Sequence, residues 1–93
     1  MEYRLLGRTG IKVSPICLGS DDFGDATPAD LAAKIINRSL DAGINLIDTG
    51  NLYAETQSEK IIGKTLKESK CRHQVLISTK IALFFICKIW NLL

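Results

Sequence analysis

Ninety-three residues carry twelve Lys and Arg, ten Asp and Glu and one His, for a formal charge of +2, with 46% apolar, 24% charged and 6% aromatic residues. A chain of this size and balance builds one modest core, so it is one domain or a piece of one, of ordinary soluble globular type. The basic residues are scattered rather than gathered into a stripe, which excludes electrostatic capture of nucleic acid, and Met1-Glu2-Tyr3-Arg4 lacks the basic and then apolar regions of a signal peptide, which points to the cytoplasm.

Taken in order, two strand-like runs, Tyr3 to Leu6 and Ile11 to Ser14, flank Gly7-Arg8-Thr9-Gly10, and glycines in a tight reversal predict a hairpin. After Pro15, the apolar run Ile16-Cys17-Leu18 ends at Gly19-Ser20 and predicts a buried strand running into an acidic loop. Thr27-Pro28-Ala29-Asp30 has the form of a helix start, with Thr27 as cap and Pro28 in the first helical position. Leu31, Ile35, Ile36 and Leu40 follow at helical spacing, and Gly43 supplies the stop. Ile44-Asn45-Leu46-Ile47 reads as a strand that delivers Asp48 at its end.

A second helix starts near Ser58-Glu59, with Ile61, Ile62, Thr65 and Leu66 on one face, and a polar link then leads to the strand Val75 to Lys80. Apolar strands separated by amphipathic helices predict a parallel α/β sheet with both faces covered. From Ile81 the chain turns almost wholly apolar, with only Lys88 and Asn91 polar. That tail is shorter than the roughly 20 residues that cross a bilayer, and extending it backwards would put Lys80 and Lys88 in hydrocarbon, which argues against an anchor. Cys17, Cys71 and Cys87 are odd in number and far apart, with His73 as the only histidine, so neither a disulfide framework nor a metal site is expected.

Gly19-Ser20, Asp48 and Lys80 each fall at the carboxyl end of a predicted parallel strand, and Tyr53 lies in the loop after one of them. Such ends share one edge of the sheet, where α/β folds place their ligand sites. A phenol has an ordinary pKa of about 10, and a nearby ammonium, here Lys80, stabilises its anion. Asp48 could in turn pair with Lys80. A Tyr, Lys and Asp set of this kind suits proton delivery to a carbonyl oxygen as hydride reaches its carbon. Each of the three has a bland alternative: turn-former for Asp48, packing residue for Tyr53, solvated strand end for Lys80.

Residues 1 to about 80 resemble the aldo-keto reductase family of NADP-dependent TIM-barrel oxidoreductases. The resemblance runs through Leu6-Gly7-Arg8-Thr9-Gly10 with Val13-Ser14, Leu18-Gly19 to Phe23-Gly24, Leu40-Asp41-Ala42-Gly43-Ile44-Asn45, and Ile47-Asp48-Thr49. It continues through Tyr53, Ser58-Glu59 and Ile62-Gly63 to Thr79-Lys80. It implies the amino-terminal part of a (β/α)8 barrel, a hairpin and then β-α-β-α-β, and reduction of an aldehyde or ketone with NADPH as cofactor. It makes Tyr53 the general acid, Lys80 the residue that lowers its pKa and Asp48 the partner that orients the lysine. Gly19, Ser20 and Asp48 would line the nicotinamide end of the cofactor site.

Gly50 stands where that family usually has alanine, and Ala54 where glycine is common. The family's catalytic histidine comes from a later strand, and His73 does not match it. A full barrel needs about 250 residues, so the expectation is an incomplete barrel over residues 1–80, inactive alone, with a tail over residues 81–93 unlike the family's continuation. Two other classes compete. A non-catalytic interaction module would use the exposed sheet edge or the apolar tail for self-association or partner binding; the resemblance gives a binding role a precedent, since some members of the family serve as regulatory subunits of potassium channels. An aspartic protease would use Asp48-Thr49-Gly50, but that fold is almost wholly β, whereas this motif sits between two amphipathic helices.

Overall fold

The computed structural model describes residues 1–81, and the apolar tail beyond them lies outside the described residues. The chain opens with β1 (Arg4–Leu5) and β2 (Lys12–Val13), antiparallel, with Arg4 opposite Val13 and Leu5 opposite Lys12. The reversal is closed by the Leu6 N–H on the Ile11 carbonyl at 2.8 Å and by the Thr9 hydroxyl on the Leu6 carbonyl at 2.6 Å. There follow β3 (Leu18–Gly19), α1 (Ala29–Asp41), β4 (Leu46–Asp48), α2 (Gln57–Glu68), a 3₁₀ turn at Arg72–Gln74, and β5 (Leu76–Ser78). The last three strands form a parallel sheet in the order β3-β4-β5, not closed on itself, with Ile47 between Leu18 and Ile77 and Asp48 between Gly19 and Ser78.

Helix α1 forms where alanine, leucine and isoleucine recur, with Asp30 in its first turn and Arg38 in its last complementing the helix dipole. Gly43, at φ +97°, ends it: its N–H binds the Leu40 carbonyl at 2.9 Å and the next N–H, of Ile44, binds Ser39 at 3.0 Å. A side chain at this position would be strained and would meet the Tyr3 hydroxyl at 3.3 Å. The start of the helix differs from expectation. Thr27 does not cap it; Pro28 holds the cap position, and the Thr27 hydroxyl instead donates to Asp22 Oδ2 at 2.8 Å. The loop before α1 is knitted to itself, and donation to a charged acceptor within it holds the Thr27 hydroxyl toward Asp22 and away from the helix amides.

Both helices pack on one face of the sheet. Ala32 and Ile36 from α1, Ile62 and Leu66 from α2, and Ile47 from β4 are all buried, with Phe23, Cys71 and Val75 closing the cluster. Side chains alternate along a strand, so Leu46 and Asp48 of β4 face away from the helices, as do their partners Gly19, Leu76 and Ser78. Among the described residues that second face is open, so the expectation of two covered faces holds for one only. Leu31, predicted to join the buried stripe of α1, is 47% exposed. The buried side chains of α1 are Ala32 and Ile36 instead.

The hairpin is bolted to the amino end of β4. The Ser14 N–H donates to Asn45 Oδ1 at 2.8 Å, Asn45 Nδ2 donates to the Lys12 carbonyl at 3.0 Å, and the Asn45 N–H donates to the Ser14 hydroxyl at 3.2 Å. Tyr3 adds a fourth tie, its hydroxyl donating to the Gly43 carbonyl at 2.6 Å. This use of Asn45 explains why β4 begins at Leu46 rather than at Ile44: the residues before it finish α1 and clasp the hairpin. No helix among the described residues is long and apolar enough to cross a membrane.

Candidate active site

Asp48 is the last residue of β4, and at the carboxyl end of a parallel strand the chain must leave the sheet, so its side chain reaches past the strand on the open face. Lys80 arrives there from just beyond β5. Its Nζ donates to Asp48 Oδ2 at 2.8 Å and to the Thr49 carbonyl at 2.8 Å. The third member, Tyr53, comes from the loop after β4 and lays its ring beside the ammonium, with Lys80 Nζ 4.9 Å from the ring centroid. That distance is within cation–π range. The fold therefore assembles Asp48, Tyr53 and Lys80, which the sequence separates by up to 32 positions.

Charge is fixed by this contact. The lysine hydrogen bond, more than any other influence, holds the Asp48 carboxyl below the usual aspartate range, with a further hydrogen bond from Ser78 acting the same way against the cost of burial. Lys80 is held above the usual lysine range, chiefly by Asp48 and secondly by the Tyr53 phenol. At neutral pH the pair is carboxylate and ammonium. Its side chains are 45% and 38% exposed, so solvent screens the attraction. Asp48-Thr49-Gly50 lies between a parallel strand and α2 of an α/β sheet, not in the almost wholly β fold that an aspartic protease needs.

Gly19 sits on the open face beside Asp48, and a Cβ built there meets nothing within 4 Å. Ser20 behaves differently from the rim residue predicted. It is 1% exposed, and its hydroxyl donates to the Asp48 carbonyl at 2.7 Å, so it sits behind the rim and supports the acid's backbone. His73 lies on the 3₁₀ turn before β5, at the opposite end of that strand from Lys80. Cys17 is exposed, and its thiol is pushed up by burial first and by the Asp48 charge second.

The Tyr53 loop is conformationally tense. Ala54, Glu55 and Thr56 stand consecutively at φ +51°, +52° and +76°, a region that costs an L-residue about 1 to 2 kcal/mol. The turn is held by the Glu55 N–H on Leu52 at 3.1 Å, Gln57 on Ala54 at 3.1 Å and Ser58 on Tyr53 at 3.2 Å. Gly24 is its footing: at φ +100°, a Cβ there would fall 2.7 Å from Gln57 Cβ and 3.0 Å from Ile61 Cδ1. Gly50 is a second close approach, since a Cβ on it would lie 3.1 to 3.4 Å from three atoms of the Tyr53 ring. The two residues that depart from the family pattern, Gly50 and Ala54, thus both touch the seating of the phenol.

Sequence reasoning missed Thr49, Ser58 and Ser78. Thr49 accepts Lys80 through its carbonyl, and its hydroxyl lies 3.2 Å from that of Ser58, whose own hydroxyl donates to the Ser20 carbonyl at 2.6 Å. The available signal was position: small hydroxyl residues directly after a strand end and in the first turn of the next helix.

The model of the "Aldo/keto reductase family" matches residues 15–91. Among curated proteins, the chain is 42% identical over 87 residues to "Aldo-keto reductase YhdN" of Bacillus subtilis, covering 89% of this chain and 26% of that protein. It is 39% identical over 87 residues to "6-dehydroglucose reductase" of Novosphingobium aromaticivorans, covering 84% of this chain and 28% of that one. Among solved structures, the holo form of "aldo-keto reductase AKR11C1" from Bacillus halodurans superposes with a TM-score of 0.77, with 32% identity, covering 87% of this chain and 26% of that one. The chain spans about a quarter of the length of the curated relatives it matches first, 26% in each case.

Proposed function

Because this chain belongs to the aldo/keto reductase family, we propose that its rim is the acid side of an NADP-dependent oxidoreductase site that reduces an aldehyde or ketone to the alcohol. The observation that carries the proposal is the Lys80 ammonium between the Asp48 carboxylate at 2.8 Å and the Tyr53 ring at 4.9 Å. Tyr53 donates its phenolic proton to the carbonyl oxygen of the substrate. As that proton leaves, negative charge grows on the phenol oxygen, and the ammonium beside the ring stabilises it. Asp48 and the Thr49 carbonyl hold the lysine in place.

The open face fits the nicotinamide end of NADPH, since Gly19 leaves clear space beside Asp48 on the same side of the sheet. When bound, NADPH supplies the hydride. Gly19 and Asp48 are the residues of this chain that would hold it, with Ser20 acting through the Asp48 backbone. The three-stranded sheet leaves this face without an opposing wall among the described residues, so turnover is expected of a closed barrel and not of these residues alone.

The test is a chimera in which residues 1–80 replace the corresponding segment of the Bacillus subtilis relative, assayed for NADPH-dependent reduction of a simple aldehyde. The Tyr53→Phe chimera is expected to lose about 10²- to 10⁴-fold in kcat. An unchanged rate in the folded variant would sink the proposal.

A further inference from the structure

Behind the rim lies a set of hydroxyls that the proposed chemistry does not use. Ser20, Thr49 and Ser58 are 1%, 1% and 0% exposed, and they come from the ends of β3 and β4 and the first turn of α2. Ser58 has a single hydroxyl proton, and it goes to the Ser20 carbonyl at 2.6 Å. The 3.2 Å contact between Thr49 and Ser58 must then run the other way, with Thr49 as donor and Ser58 as acceptor. Ser20 in turn donates to the Asp48 carbonyl at 2.7 Å. The order is therefore fixed: Thr49 to Ser58, Ser58 to the Ser20 backbone, Ser20 to the Asp48 backbone.

This order ties together the backbone atoms on which the ion pair depends. Asp48 carries the carboxylate, and Thr49 carries the carbonyl that takes the lysine's second hydrogen bond. The Thr49 N–H is also held, on the Ser78 carbonyl at 2.8 Å, so the peptide between Asp48 and Thr49 is restrained on several sides. Among the described residues, Ser58 is the helix residue whose hydroxyl reaches both strand ends, Ser20 after β3 and Thr49 after β4.

We propose that Ser58 is a positioning residue for the Lys80–Asp48 pair, fixing through Ser20 and Thr49 the backbone that presents the carboxylate and the lysine's second acceptor. The proposal rests on the reading of this rim as the acid side of a reductase site, and it is tested without measuring activity, so the two can fail separately. A residue that only held the core together would weaken the fold when removed and leave the ion pair's titration in place.

The experiment follows the Asp48 carboxyl carbon by NMR through an acid titration of the 93-residue chain and its variants. The groups that face Asp48 are Lys80, Cys17 and the Ser78 hydroxyl, with Tyr53 facing the lysine, and none of them is altered. Ser58→Ala is expected to move the Asp48 midpoint upward, toward the ordinary aspartate value, as the lysine loses its fixed seat. Thr49→Val, which keeps the shape and the Ser58 to Ser20 bond, is expected to move it less in the same direction. Ser58→Thr, which keeps the hydroxyl, restores the original midpoint, and Ile36→Val, a core truncation away from the rim, leaves it unmoved. An unmoved midpoint in folded Ser58→Ala overturns the proposal; if that variant does not fold, an unmoved midpoint in Thr49→Val overturns it instead.

Discussion

Asn45, just before β4, and Asp48, its last residue, stand three residues apart, and they serve opposite ends of the sheet in opposite ways. At the amino end, Asn45 is neutral and its amide is used on both sides, accepting from the Ser14 N–H and donating to the Lys12 carbonyl. At the carboxyl end, Asp48 is charged, 38% exposed, and next to a loop with three consecutive left-handed residues. A polar side chain whose hydrogen-bonding capacity is spent on backbone is a fastener. A half-exposed charge on an open face, paired with a second charge and a phenol, keeps capacity for something that is not part of the chain.

The sharpest way to break that contrast is to exchange the effects of the two ends. In the barrel-completing chimera, Lys80→Met removes the ammonium beside Tyr53 and is expected to lower kcat by about 100-fold or more, with little change in the urea midpoint. Asn45→Ala should do the reverse. It leaves the Ser14 N–H and the Lys12 carbonyl without partners and is expected to cost about 1 to 3 kcal/mol in urea unfolding, with faster amide exchange across β1 and β2. Loss of activity without loss of stability in Asn45→Ala would erase the distinction.

A smaller effect is expected in the Tyr53 loop. Ala54→Gly relieves a left-handed backbone, and the gain, offset by the greater freedom of an unfolded glycine, is expected to be about 1 kcal/mol or less by urea midpoint. A loss of stability would mean that the Ala54 methyl makes packing contacts worth more than the strain.

The smallest expected effect is the pH dependence of stability. Asp48 titrates below its unfolded value, so its contribution is present above that value, about 3.8 for an aspartate here, and disappears as pH falls through the folded midpoint. Lys80 titrates above its unfolded value of 10.5, so its contribution is present below that and disappears as pH rises through the folded midpoint. Both side chains are well exposed, so the slopes at each extreme should be shallow. The Asn45 clasp holds no titrating side chain, so the Asn45→Ala stability curve should run parallel to that of the parent; convergence of the two at low pH would show that the ends are coupled.

Much of the fold was legible because it is encoded locally. The hairpin, both helices and the three parallel strands follow from turn residues and from apolar spacing, with ends displaced by a residue or two where Asn45 and Thr27 took other partners. Asp48, Tyr53 and Lys80 were readable as a group because parallel strands put their carboxyl ends on one edge, and the resemblance of Ile47-Asp48-Thr49, Tyr53 and Thr79-Lys80 to the family motifs gave them roles to test.

By itself, then, the sequence determined which segments become strands and helices, which family the chain resembles, and that an acid, a phenol and an ammonium end at one rim. The tertiary structure alone decided which groups meet there. It turned Ser20 inward onto the Asp48 carbonyl, 28 positions away, set Ser58 against the Ser20 carbonyl across 38 positions, and left Leu31 outside the covered face. The physical reason is reach: periodicity is felt between residues one turn or one pleat apart, whereas a hydroxyl's partner is chosen by the register of strands that only packing brings together.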